Sequence, residues 1–129
     1  MIKDFSQYQY IVEKAIARLG VDPKKCLIRK ANWQLKKGNI KLNISFFEQD
    51  SLQYFKTEAL IMSIPSDASV DFYRKLLEQN LTFNGLAFYI QGNQVYLKSV
   101  REVSGMDANE AFMMITKVGN YADMFHNER

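Results

Sequence analysis

The chain has 129 residues, 47% hydrophobic and 24% charged, with 17 lysines and arginines against 14 aspartates and glutamates, a formal charge of +3. This composition excludes a disordered chain, and a chain of this length buries roughly two-thirds of the surface its unfolded form exposes, enough for one domain over residues 1–129 without staples. Apolar runs such as Ala59 to Met62 are only a few residues long, against the about twenty of a membrane-spanning helix, and Met1-Ile2-Lys3-Asp4 opens no signal peptide. A cytoplasmic protein with no membrane association is therefore expected.

Residues 4 to 19 place Phe5, Tyr8, Val12, Ala15, Ile16 and Leu19 at spacings of three and four, the stripe of a helix packed on one side. Gly20 ends it, and Asp22-Pro23 begins a turn. Cys26 to Leu35 reads as a basic strand, followed by a turn at Lys36-Lys37-Gly38-Asn39. Ile40, Leu42, Ile44 and Phe46 then alternate with Lys41, Asn43 and Ser45, the period of a strand with one buried face. Polar residues Glu48 to Ser51 break that run before an extended segment from about Leu52 to Ile64. The connections are too short for parallel crossovers, so these three segments form an antiparallel meander.

Pro65 closes the third strand, and Ser66, Asp67 and Ser69 offer caps for a second helix at about 69 to 79, with Phe72, Tyr73, Leu76 and Leu77 as its stripe. A hairpin occupies 86 to 101. A two-residue turn at Gly92-Asn93 sets Gln91 opposite Gln94, Ile90 opposite Val95, Tyr89 opposite Tyr96 and Phe88 opposite Leu97. A slip of one residue would mix the apolar row with the tyrosines, so turn chemistry and pattern agree on the register. Asp107 and Glu110 form a capping-box pattern for a third helix, whose stripe is Ala108, Ala111, Phe112, Ile115, Val118 and Ala122. The order α-β-β-β-α-β-β-α predicts an α+β fold with a five-stranded antiparallel sheet packed by helices.

That order, the Trp33 strand, the segment Leu76-Leu77-Glu78-Gln79-Asn80, the Leu86-Ala87-Phe88 strand with its Gly92-Asn93 turn and the late Tyr121-Ala122-Asp123 together resemble the YbjN-like domain. This family is structurally similar to type III secretion chaperones. The resemblance runs from about Asp4 to Phe125 and rests mainly on structural motifs. It implies a compact, often dimeric domain without an established catalytic site, with a partner-binding or regulatory role. Secretion chaperones hold extended client segments against hydrophobic patches; they are characteristically acidic, whereas this chain is not.

Residues able to carry chemistry are few. His126 is the one histidine, near the C-terminus, and no second histidine or cysteine accompanies it and Cys26 to complete a common zinc set. Cys26 has no other thiol to pair with; it lies in a basic stretch, which would lower a thiol pKa, yet a strand cysteine explains it as well. Asp67 with Asp71, and Asp107 with Glu110, suit helix N-termini better than acid–base chemistry. No phosphate-binding glycine loop or nucleophile elbow is present. The expectation is a non-enzyme with no catalytic, cofactor or metal site.

Lys24, Lys25, Arg29, Lys30, Lys36, Lys37 and Lys41 accumulate between Pro23 and Phe47 with no anion and with Trp33 among them. Such a sheet suits single-stranded nucleic acid, although alternation sends neighbouring residues to opposite faces and lysine-rich edges also deter strand pairing. Met113, Met114, Tyr121, Met124 and Phe125 widen the apolar arc of the last helix, and Tyr89 and Tyr96 occupy the hairpin face opposite its apolar row. These surfaces suit a second subunit or a protein client, methionine being adaptable to varied partners. The leading expectation is a homodimeric, non-enzymatic, chaperone-like interaction protein; nucleic-acid binding through the basic strands is the alternative.

Overall fold

A computed structural model describes residues 5–128, so the expected helix start at Asp4 lies outside the described residues. The first helix, α1, is Ser6–Arg18, with Val12, Ala15 and Ile16 buried. Gly20 follows at φ +87°, the left-handed conformation that glycine adopts without a Cβ penalty.

The basic segment differs from its expected form. Asp22 accepts a hydrogen bond from the Lys24 N–H at 3.0 Å and Pro23 takes the first helical position, so Pro23–Cys26 coils into a short helix, α2. Cys26 thus ends a helix instead of starting a strand. The remainder splits into β1 (Leu27–Arg29) and β2 (Asn32–Lys37) around Ala31, which sits at φ +59°. The sheet consequently has six strands, not five.

β2 pairs with β3 (Ile40–Gln49), and β3 with β4 (Leu52–Ser63). Glu48 and Gln49 do not break the run: the ladder continues to the Gln49–Leu52 pair. Asp50 and Ser51 close it at φ +53° and +67°, the double left-handed turn whose twist matches paired strands. After α3 (Val70–Asn80) come β5 (Ala87–Gln91) and β6 (Gln94–Glu102), in the expected register, and then α4 (Ala108–Glu128). All strand pairs are antiparallel and the order across the sheet is β1-β2-β3-β4-β6-β5.

One face of the sheet is sealed. Trp33, Ile40, Leu42, Ile44, Phe55, Ala59, Val95 and Leu97 meet the buried Ala111, Ile115, Val118 and Ala122 of α4, against which α1 packs. Phe5 stacks on Phe46 at 5.0 Å, and Phe46 contacts Trp33 edge-on at 6.1 Å, joining the start of α1 to the sheet. Arg18 lies over the Phe112 ring at 4.0 Å and donates to Asn109 Oδ1 at 2.9 Å, joining its end to α4. Replacing the fully buried Trp33 by alanine is expected to cost about 3–5 kcal/mol in urea denaturation.

The α4 capping box forms as read: Glu110 N–H donates to Asp107 Oδ1 at 2.7 Å, and Asp107 N–H to Glu110 Oε1 at 3.0 Å. Arg101 adds a bond to Glu110 Oε2 at 2.8 Å. The Arg101 hydrogen bond first, and the Asp107 N–H next, hold the Glu110 carboxyl below the usual glutamate range. A carboxyl depressed in the folded state stabilises fully above its unfolded pKa, and the contribution disappears as pH falls through the folded value. The Tm difference between wild type and Glu110→Gln should therefore be largest at neutral pH and shrink on acidification; a difference constant down to strong acid would contradict this network.

Candidate functional site

The described residues contain no cluster of three or more His, Cys, Asp or Glu side chains that could hold a metal ion. Cys26 is buried, with its thiol near the Pro23 carbonyl at 3.5 Å. Burial raises its pKa, a backbone hydrogen bond opposes this, and Asp22 adds to the rise. The net shift is upward, opposite to the lowering that the basic stretch suggested. His126 is half-buried, with a buried Nδ1 that has no hydrogen-bond partner among the described residues. Reaction of Cys26 with a thiol reagent at pH 7 should be much slower in the folded protein than in urea-unfolded protein; equal rates would show an accessible thiol.

The seven cations divide between elements and faces. Lys24 and Lys25 lie on α2, and Arg29 and Lys30 around the turn after β1. Lys36 and Lys41 oppose each other across β2 and β3 and are exposed. Lys37 lies on the opposite face, where it donates to Asn120 Oδ1 of α4. This follows from the alternation of β2, in which Trp33, Leu35 and Lys37 share the helix-covered face.

On the other face of the sheet Tyr89 and Tyr96 stack at 5.1 Å. The Tyr89 hydroxyl donates to Glu58 Oε2, and Lys98 lies over the Tyr89 ring at 4.7 Å. Burial, then the hydrogen bond to Glu58, pushes the Tyr89 phenol above its ordinary pKa, so it remains a neutral donor. These tyrosines are half-buried and engaged with one another.

The α4 arc separates into two parts. Phe125 packs with Phe83 and Phe88 at 5.8 and 5.1 Å, and Met114 lies against the core. Met113, Tyr121 and Met124 point outward, 57%, 36% and 42% exposed. Met113, Met114 and Tyr121 line an open cleft of about 480 Å³ whose other wall includes Asn84 and Gly85, with Lys117 donating to the Asn84 carbonyl at 2.6 Å.

A second apolar surface is one the sequence pattern did not disclose. The expected stripe of α3 is only partly used for packing: Phe72 and Leu76 touch the core, while none of the helix's residues is fully buried. Val70, Leu77 and Leu81 are 76%, 69% and 87% exposed. With Tyr73, Arg74 and Glu78 they line an open, almost wholly apolar groove of about 590 Å³. The signal was the width of the arc. At roughly 100° per residue, the apolar positions of α3 span about half the helix circumference, more than one packing face absorbs.

With this architecture in view, solved structures supply a close parallel. One chain of the ExsC–ExsE complex matches 98% of this chain over 96% of its own length, with a TM-score of 0.72 at 11% identity. A chain of the HopA1–SchA chaperone–effector complex matches 98% over 99%, with a TM-score of 0.70 at 8% identity. A chain of the complex between the Yersinia pestis type III secretion chaperone SycH and a stable fragment of YscM2 matches 92% over 98%, at 0.66 and 11%. The fold is that of the type III secretion chaperones. No family model matches the chain, and no curated protein matches it in sequence, so the expected YbjN-like membership gains no support there. No helix among the described residues is long and apolar enough to cross a membrane.

Proposed function

We propose that this chain is a non-enzymatic, cytoplasmic interaction protein of chaperone type, of YbjN-like descent, working as a homodimer that holds a protein client. The observation that carries the reading is the exposed apolar row of α3 on a fold shared with chaperone–effector complexes. A soluble protein seldom leaves such a row open to water unless a partner covers it.

The partner assigned to α3 is a second copy. Arg74 and Glu78 flank Leu77 in one groove, so the surface carries both signs of charge around an apolar centre. A two-fold axis pairs a surface with itself, and an apolar centre with both signs of charge beside it is compatible with such self-complementary pairing. The client is assigned to the α4 cleft, where Met113 and Tyr121 present exposed side chains beside the adaptable Met114, with Met124 exposed on the same helix outside the cleft lining. Tyr89 and Tyr96 are less available, being occupied with each other and with Glu58. Nucleic-acid binding has less support, because the basic side chains divide between the two faces of the sheet.

Leu77→Asp with Leu81→Asp should convert a dimer to a monomer in light scattering at tens of micromolar, with circular dichroism unchanged. A wild-type monomer under those conditions would end the dimer assignment. For the client, Met113→Asp with Tyr121→Asp should release a polypeptide that the wild type retains from its native cell extract, while the dimer persists. Unchanged retention by a folded double variant would move the client site elsewhere.

A further inference from the structure

An antiparallel sheet has two edges, and each is an open template for another strand. Here the edges are β1 and β5. Gln91 and Gln94 close the two-residue loop between β5 and β6 as a hydrogen-bonded pair, so Ala87, Tyr89 and Gln91 direct their backbone groups at β6. Phe88 and Ile90 alone, among the five residues of β5, direct theirs outward.

Phe88 is already taken. Asn80, the last residue of α3, accepts from the Phe88 N–H through Oδ1 at 2.7 Å and donates from Nδ2 to the Phe88 carbonyl at 3.4 Å. A carboxamide carries one acceptor and a donor side by side, as a residue of a neighbouring strand does, so its two bonds imitate one rung of a ladder. The side chain is held in place by the turns that end the helix. Leu81 N–H donates to Glu78 O and Thr82 N–H to Gln79 O, while the Gln79 amide and Thr82 hydroxyl clasp each other at 3.0 Å.

We infer that Asn80 is an edge guard: it occupies the outward backbone groups of Phe88 and denies β5 to an added strand, from a second copy of this chain or from a client. One outward residue, Ile90, is then left on that edge, too little for a ladder. Chain pairing on this sheet is restricted to the β1 side, where Lys24, Lys25, Arg29 and Lys30 set a condition of charge on whatever approaches. This inference stands apart from the client assignment, since it concerns main-chain pairing on β5 and not the α4 cleft.

Amide hydrogen exchange resolved by residue tests it directly. In the wild-type protein Phe88 and Ile90 face the same way, yet the Phe88 amide should exchange at least about tenfold more slowly than that of Ile90, the protection expected of one hydrogen bond. Equal exchange after correction for intrinsic rates would overturn the inference without any variant. Asn80→Ala should erase that protection, leave the Tyr89 and Tyr96 amides protected, and give assemblies larger than the wild type's in sedimentation. Asn80→Ala combined with Ile90→Pro, which removes the other outward N–H, should return to the wild-type size. A folded Asn80→Ala protein of wild-type size at every concentration would equally overturn it. None of these readouts involves a client, so their failure would leave the α4 assignment where it stands.

Discussion

The seam between α4 and the sheet is the constraint on which the other contacts depend. Ala111, Ile115, Val118 and Ala122 form a buried line in which two branched residues are flanked by alanines, letting the helix axis approach the strands. Gly119 belongs to the same seam: a Cβ there would stand 3.0 Å from Lys37 Cδ and 3.5 Å from Leu42 Cδ1. With α4 so placed, Asn109 and Phe112 meet Arg18, and Phe125 reaches Phe83 and Phe88. The capping box at Asp107 and Glu110, tied to β6 through Arg101, fixes where the helix begins. The position of α1, the aromatic cluster beneath α3 and the mouth of the α4 cleft all follow from that one alignment.

The two faces of the sheet meet water differently as a result. The helix-covered face spends its apolar residues inward, and even Thr57, opposite Ser99, is buried there. The other face satisfies itself by pairing: across strands Phe47 stacks on Tyr54 at 5.1 Å and Tyr89 on Tyr96, and along β4 Lys56 pairs with Glu58 at 3.5 Å. Cross-strand pairs of this kind stabilise a solvated sheet, although Leu52 and Leu60 of β4 stay 44% and 40% exposed there. The most exposed large apolar side chains, Val70, Leu77 and Leu81, lie along α3 and at its end, with Met113 on the outer side of α4.

What the sequence made legible follows the strength of each local signal. The β5–β6 register was readable because Gly92-Asn93 fixes the turn and the apolar alternation admits no slip. The α4 cap was readable because aspartate and glutamate three apart have a single well-defined use before an apolar stripe. By contrast, α2 has four residues and so no period to detect, and its formation depends on one Asp22 side-chain bond. The Asp50–Ser51 turn lacks glycine, so its two left-handed residues gave no mark in the sequence and the strand appeared to stop early. In the α4 arc, whether Phe125 or Met124 turned inward depended on Phe83 and Phe88, residues distant along the chain.

The Leu76-Leu77-Glu78-Gln79-Asn80 segment shows why packed and exposed apolar positions were inseparable in the sequence. Leu76 faces the core, Leu77 faces solvent, and Asn80 turns to the backbone of β5. Three consecutive arcs of one helix thus carry three tasks, and an apolar periodicity count reports only their sum. The tasks are also mechanically joined. Asn80 can reach Phe88 only while Phe72 and Leu76 hold the helix against the sheet, and that same placement turns Val70, Leu77 and Leu81 outward in a fixed row. A surface presented by a helix that is anchored in this way needs little further ordering when a partner arrives, so more of its apolar area is available as binding free energy.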